Sequence, residues 1–230
     1  MPNSQSDLRQ YAPATERNRQ PILAVLKQVL PKSSDTAGDA DNMVGIVLEI
    51  SSGTGEHATY FAPRLSHLYW LPSEPQAAGR DSIQAWGEAL PSRNLLLPPL
   101  DLDVSAHPWS VEEAAVQARL TVLDAPICAI VNINMIHIAP WEMCGHLMAG
   151  AQRVLPPGGV LYLYGPYKRD GRHTAPSNEA FDRTLRDRNP LWGIRDLETV
   201  VDTAKEHELQ LSEVIEMPAN NLSVVFTRSA

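Results

Sequence analysis

The chain has 230 residues, 43% of them apolar and 20% charged, the composition of a soluble globular protein with one full core. Nineteen basic against 27 acidic side chains leave a net charge of −8, which argues against unaided binding to nucleic-acid backbones and to anionic membranes. No apolar run approaches the ~20 residues that cross a bilayer.

The N-terminus, MPNSQSDLRQ, lacks the apolar core of a signal peptide, so a cytoplasmic protein is expected. Residues 1–20 are polar and read as extended. A helix follows from about Pro21 to Leu30, with Ile22, Leu23, Val25, Leu26, Val29 and Leu30 at helical spacing and Pro21 in its first turn. Pro31 stops it. The stretch 32–42 (KSSDTAGDADN) has loop composition. Residues 1–42 therefore read as an N-terminal arm, a helix and a flexible connector, and 43–230 as a single domain.

From there strands and helices alternate. Strands are expected at 45–50, 67–72, 94–98, 127–133 and 159–164, and helices at about 56–65, 76–89, 110–119 and 140–154. The short strands are almost continuously apolar, as they are when helices cover both faces of a parallel sheet. Helices at 177–188 and 195–207 precede strands at 209–216 and 222–227, an antiparallel pair for the sheet's edge. The expected fold class is α/β, a mostly parallel seven-stranded sheet with that antiparallel C-terminal edge pair. Cys128 and Cys144 lie in apolar surroundings without paired spacing, so they read as buried thiols rather than a disulfide or zinc framework.

In such a sheet ligands bind beyond the carboxyl ends of the strands. The first expected strand ends in Glu49-Ile50-Ser51-Ser52-Gly53-Thr54-Gly55, where glycines let a ligand approach the backbone. Glu49 can accept hydrogen bonds from loop amides or a ligand ammonium. Glu74 ends the second strand, placed for the two hydroxyls of a ribose. Asp101 and Asp103 follow the third, where one can accept an adenine amino proton; no histidine joins them at metal-ligand spacing. The fourth runs into Asn134 and His137, polar groups inside an apolar stretch. The fifth runs into 165–178, a polar segment that reads as a lid or acceptor loop.

The order ExSSGTG, an acid after the second strand and DV after the third resembles class I S-adenosylmethionine-dependent methyltransferases. More narrowly, APATERNRQPIL, LEISSGTGEHA, INMIHIAPWE, LYLYGPYKRDGRHTAPSN, WGIRDLE and MPANNLS resemble a methyltransferase-like group known as a domain of unknown function, of the DUF938 type. The resemblance implies a Rossmann-like methyltransferase fold with S-adenosylmethionine as cofactor. It gives cofactor roles to Glu49, Ser51, Gly53, Gly55, Glu74 and Asp103, with Asn134 near the methionine part.

The implied reaction is methyl transfer to a small-molecule acceptor by in-line displacement, where positioning supplies much of the rate. A base is needed when the acceptor arrives protonated. Candidates are His137, Tyr167, Asp170 and His173. Candidate acceptor contacts are Asn18, Trp141, Arg169 and Asn178, with Trp192 as a further aromatic wall; Tyr11, Glu16, Arg17 and Asn18 are placed to fold over the cofactor. Two alternatives stand beside this reading. One is a non-catalytic cofactor-binding or scaffold protein on the same fold. The other is a nicotinamide-dependent oxidoreductase, against which the acidic Glu49 ahead of the glycines and the lack of a Tyr-x-x-x-Lys pair both speak.

Overall fold

The computed structural model describes residues 7–32 and 43–230; residues 1–6 and nearly all of the expected connector, 33–42, lie outside the described residues. The chain opens with helix α1 (Pro13–Val29) and continues through β1 (Ile46–Ile50), α2 (Glu56–Phe61), β2 (Tyr69–Pro72), α3 (Ala77–Ala89), α4 (Ala114–Thr121), β3 (Ile127–Ile133) and α5 (Glu142–Val154). Then come β4 (Val160–Arg169), the short β5 (Arg172–His173), α6 (Pro176–Arg188), the short β6 (Arg195–Asp196), α7 (Leu197–Glu206), β7 (Leu209–Met217) and β8 (Asn221–Arg228). The sheet orders β2-β1-β3-β4-β8-β7, with β5 and β6 both paired to β4. Neighbours from β2 to β4 are parallel, whereas β8 is antiparallel to β4 and to β7. No helix among the described residues is long and apolar enough to cross a membrane.

Alternation along the strands sorts the core into two layers. On one face Ile46, Leu48 and Ile50 of β1 pack with Leu161 and Leu163 of β4 and with Leu147, Met148 and Ala151 of α5. On the other, Val47 of β1 and Tyr162 of β4 pack with Phe61 of α2 and with Ile22 and Leu26 of α1. The N-terminal helix thus closes the same core as the sheet.

Three expectations need correction. The first helix begins at Pro13, and Pro21 sits inside it rather than in its first turn. Pro13 supplies the N-terminal proline, and packing of the second half carries the polar first half along. The expected third strand, 94–98, is an irregular segment held to β2 by isolated bridges at Trp70–Leu95 and Ser73–Leu100; Pro98 and Pro99 have no N–H to extend the ladder. Finally, 165–178 is not a loop. β4 continues to Arg169, turns at Asp170-Gly171, returns as β5 and enters α6 at Pro176.

Candidate functional site

The carboxyl ends of β1, β2 and β3 surround a cleft of about 450 Å³ whose walls include Ser51, Gly53, Glu74, Asp103, Ile133 and Met143. The chain leaves β1 in left-handed conformations, at φ 55° for Ser51, 57° for Gly53 and 89° for Gly55. A Cβ on Gly53 would meet nothing within 4 Å, so this glycine serves the backbone turn and leaves the cleft open. Gly55 has a different task. A Cβ there would stand 2.7 Å from the Ile83 Cα of α3, so it permits close helix packing behind the cleft rather than lining it.

Glu74 is nearly buried. Its carboxylate accepts the Gly53 N–H at 3.0 Å and the Gln76 N–H at 3.2 Å, and burial raises its pKa above the ordinary carboxylate range despite those bonds. Each oxygen keeps a further lone pair for a ligand hydroxyl. Asp103 is exposed and accepts the Ser105 N–H and hydroxyl at 2.8 and 2.7 Å. Asp101 is drawn away by Arg80 at 2.9 Å.

The N-terminal arm completes this cleft. The Gln10 N–H donates to Ser82 Oγ at 2.8 Å, its side-chain amide donates to the Ala78 carbonyl at 3.0 Å, and Trp86 Nε1 donates to the Gln10 carbonyl at 2.9 Å. These bonds pin the arm along α3 with Gln10 in the cleft wall. Tyr11 is exposed and edge-on to Trp86 at 5.1 Å.

Glu49 is not part of the cleft wall. Strand alternation points it with Val47 into the α1–α2 face, where Trp70 Nε1 donates to its carboxylate at 2.9 Å. Burial pushes its pKa up to about 7. The expected cofactor ligand is therefore a buried partner of Trp70, one strand over.

A second cleft, of about 630 Å³, adjoins the first, and Ile138 belongs to both walls. It is built by α1 (Arg17, Asn18), the turn after β3 (Asn134, His137), β4 (Tyr164), α6 (Asn178, Phe181), the turn before β8 (Asn220) and the first residue of β8 (Asn221). Asn134 takes a left-handed conformation at φ 66°, which starts the 3-10 turn Met135–His137. Its side chain belongs to this second cleft and not to the first. The His137 ring is 1% exposed, stands edge-on to Tyr167 at 5.0 Å, and has no hydrogen-bond partner for either nitrogen among the described residues. Burial, with help from the nearby Arg195 cation, lowers its pKa to about 3, so the ring is neutral at neutral pH. Gly165 makes room for it, because a Cβ there would lie 2.4 Å from Nε2.

Of the other expected residues, Asn18 and Asn178 line the second cleft. Asn178 Nδ2 donates to the Asn220 carbonyl at 2.9 Å, and Asn18 Oδ1 lies 2.8 Å from His57 Nε2. Tyr167 does not reach either cleft. It is fully buried, with its hydroxyl unpartnered and its pKa pushed well above 10 by burial. The β4–β5 hairpin carries Arg169, Asp170 and His173 away from both clefts. There Arg169 pairs with Glu216 at 2.9 Å, the Asp170 N–H donates to Glu198 at 3.2 Å, and His173 faces Asp182 at 3.5 Å. Trp141 sits at the start of α5 with Arg195 5.7 Å from its ring, and neither it nor Trp192 lines a cleft.

Sequence reasoning missed Gln10, Thr54, Gly79 and Met143 in the first cleft and Tyr164, Phe181, Asn220 and Asn221 in the second. The Asn220-Asn221 pair was visible only as a turn between edge strands. Cys128 and Cys144 are both buried and free, as expected.

A family model described as "Protein of unknown function (DUF938)" matches residues 9–228. Among solved structures, an O-methyltransferase family protein from Burkholderia thailandensis aligns with a TM-score of 0.66 at 15% identity, over 94% of this chain and 58% of that one. An O-methyltransferase family 2 protein from Planctomyces limnophilus, in complex with apigenin, aligns at 0.65 and 16%, over 91% and 61%. CalO1, a methyltransferase in calicheamicin biosynthesis in its SAH-bound form, aligns at 0.63 and 12%, over 94% and 55%. The chain thus has the Rossmann-like fold of class I methyltransferases and spans little more than half the length of these structures.

Proposed function

We propose that this chain, which belongs to the DUF938 family of proteins of unknown function, transfers a methyl group from S-adenosylmethionine to a small molecule. The observation that carries the reading is the pair of clefts at the strand ends that share Ile138 as a wall residue, with the unpartnered His137 behind the second. The first cleft fits the cofactor. At Gly53 a side chain would project into open space, and the Glu74 carboxylate keeps lone pairs for ribose hydroxyls. Gln10 and Asp103 line the same cleft and offer further polar contacts.

When bound, the cofactor supplies a methyl group on a positively charged sulfur. The residues around it orient and shield. Ile138 stands in the wall of both clefts, and the second cleft fixes the acceptor in line, which is where most of the rate comes from. His137, neutral and in want of a partner, accepts the proton of an acceptor that arrives protonated. Such a proton becomes strongly acidic as the acceptor atom gains the methyl, so a weak base suffices.

Isothermal titration with S-adenosylmethionine and S-adenosylhomocysteine tests this. Micromolar binding of both, weakened in Glu74→Ala without loss of folding, is expected. A lack of binding to either would remove the basis of the proposal.

A further inference from the structure

The second cleft also carries a pattern of charge that bears on its ligand. Among the described residues its walls hold one formal charge, the Arg17 guanidinium, and no carboxylate, in a chain whose net charge is −8. Arg17 is exposed at the cleft and makes no ion pair or hydrogen bond with any described residue. Tyr164, Phe181, Pro21 and Pro166 give the cleft apolar and aromatic walls between its asparagines. Behind its wall lies His137, whose ring is 1% exposed and whose nitrogens have no hydrogen-bond partner among the described residues. A buried polar group without a partner is costly unless a ligand meets it. A cationic amine would find no carboxylate here, whereas an anionic group finds Arg17.

We infer that the methyl acceptor is an anionic hydroxyaromatic compound, its carboxylate held by Arg17 and its hydroxyl directed at His137. This rests on the methyl-transfer reading. In the step, the acceptor oxygen forms a bond to the methyl carbon, the carbon–sulfur bond breaks with its electron pair left on sulfur, and the hydroxyl proton passes to a His137 nitrogen. The cleft volume of about 630 Å³ suits a one- or two-ring compound. Arg17 acts as a specificity-determining residue, and Pro21 beside it shapes the rim, because it has no N–H for the Arg17 carbonyl four residues earlier.

The test titrates the full chain, saturated with S-adenosylhomocysteine, with two matched pairs: 4-hydroxybenzoate against 4-hydroxybenzamide, and 6-hydroxy-2-naphthoate against its amide. At least one acid is expected to bind about tenfold more tightly than its amide, as one charge-assisted contact provides. In Arg17→Gln, a surface change that keeps the helix, the preference should shrink to within about twofold, and in Arg17→Lys part of it should return. Equal affinity for acids and amides, no binding of any of the four at millimolar concentration, or a preference that survives in Arg17→Gln would overturn the inference. The saturation step separates the two claims. If S-adenosylhomocysteine binds and the preference is absent, only the acceptor assignment fails; if it does not bind, the methyl-transfer reading falls first.

Discussion

Gly79 and Glu74 are fitted against each other at the start of α3: a Cβ on Gly79 would stand 2.6 Å from Glu74 Cγ and 3.2 Å from the Gly53 carbonyl. A helical glycine is therefore what lets the carboxylate lie flat against the turn after β1. Gly79→Ala should push Glu74 out of position and weaken S-adenosylhomocysteine binding by about tenfold or more, a misplacement effect of the size expected for a positioned contact. The gain of roughly 1 kcal/mol in helix propensity offsets part of the crowding, so thermal stability should change little. Unchanged affinity by titration would mean that Glu74 does not hold the cofactor.

Glu49 gives a prediction that concerns stability alone. Its pKa rises from 4.5 to about 7 on folding, so between those values the folded chain keeps a proton that the unfolded chain has lost. Stability from this group is therefore full below pH 4.5, falls as pH rises to 7, and stays at the lower level above. Glu49→Gln retains an acceptor for Trp70 and cannot ionise. The variant should be more stable than the parent by up to about 3 kcal/mol above pH 7 and no more stable at low pH. Urea unfolding at acid and alkaline pH measures the difference, in which the titrations of His57 and His137 cancel.

His137 has the opposite sign. Its pKa is lowered to about 3 from 6.5, so the unfolded chain binds the proton first and the stability this group contributes is lost as pH falls from 6.5 towards 3. NMR of nitrogen-labelled histidine should show a neutral ring down to about pH 5, well below an ordinary histidine. His137→Gln should retain cofactor affinity and lower methyl transfer by about 10²–10⁴-fold, the usual range for a lost proton acceptor. A ring that titrates near 6.5 would contradict the buried, neutral assignment.

Gly150 of α5 lies against Trp109, where a Cβ would come within 1.9 Å of the ring. Trp109 in turn donates its Nε1 hydrogen to the Val104 carbonyl at 3.0 Å, and Val104 lines the first cleft. Gly150→Ala should cost about 1–3 kcal/mol or more through overpacking, read as a lower urea midpoint. A neutral result would show that α5 can shift away without harm.

How much of this was legible in the sequence depends on the range of the interaction. β3 appears at 127–133 as read, because an unbroken apolar run bounded by polar turns has few other solutions. The start of α1 was hidden, since its first turns are polar and only tertiary packing makes them helical. Glu74 was readable as a cleft residue from its place just after β2, and Asp103 from its place after a segment that only bridges to β2. Glu49 was misplaced because its partner, Trp70, lies on a neighbouring strand, and period-two alternation rather than motif membership decides where it points. Gly79 carries no pattern at all inside a helix; only the approach of Glu74 gives it a task. The second cleft draws residues from α1, β4, α6 and the turn before β8, elements far apart in sequence, and no local spacing announces such a convergence.

On the methyl-transfer reading the first cleft holds the methyl donor and the second, which shares Ile138 with it, the acceptor. A crystal structure of the chain with S-adenosylhomocysteine tests it most directly. The ribose hydroxyls are expected on the Glu74 carboxylate, the adenine towards Asp103, and the sulfur facing Ile138 and the cleft that contains His137. A ligand bound elsewhere, or one whose ribose leaves Glu74 untouched, would contradict it.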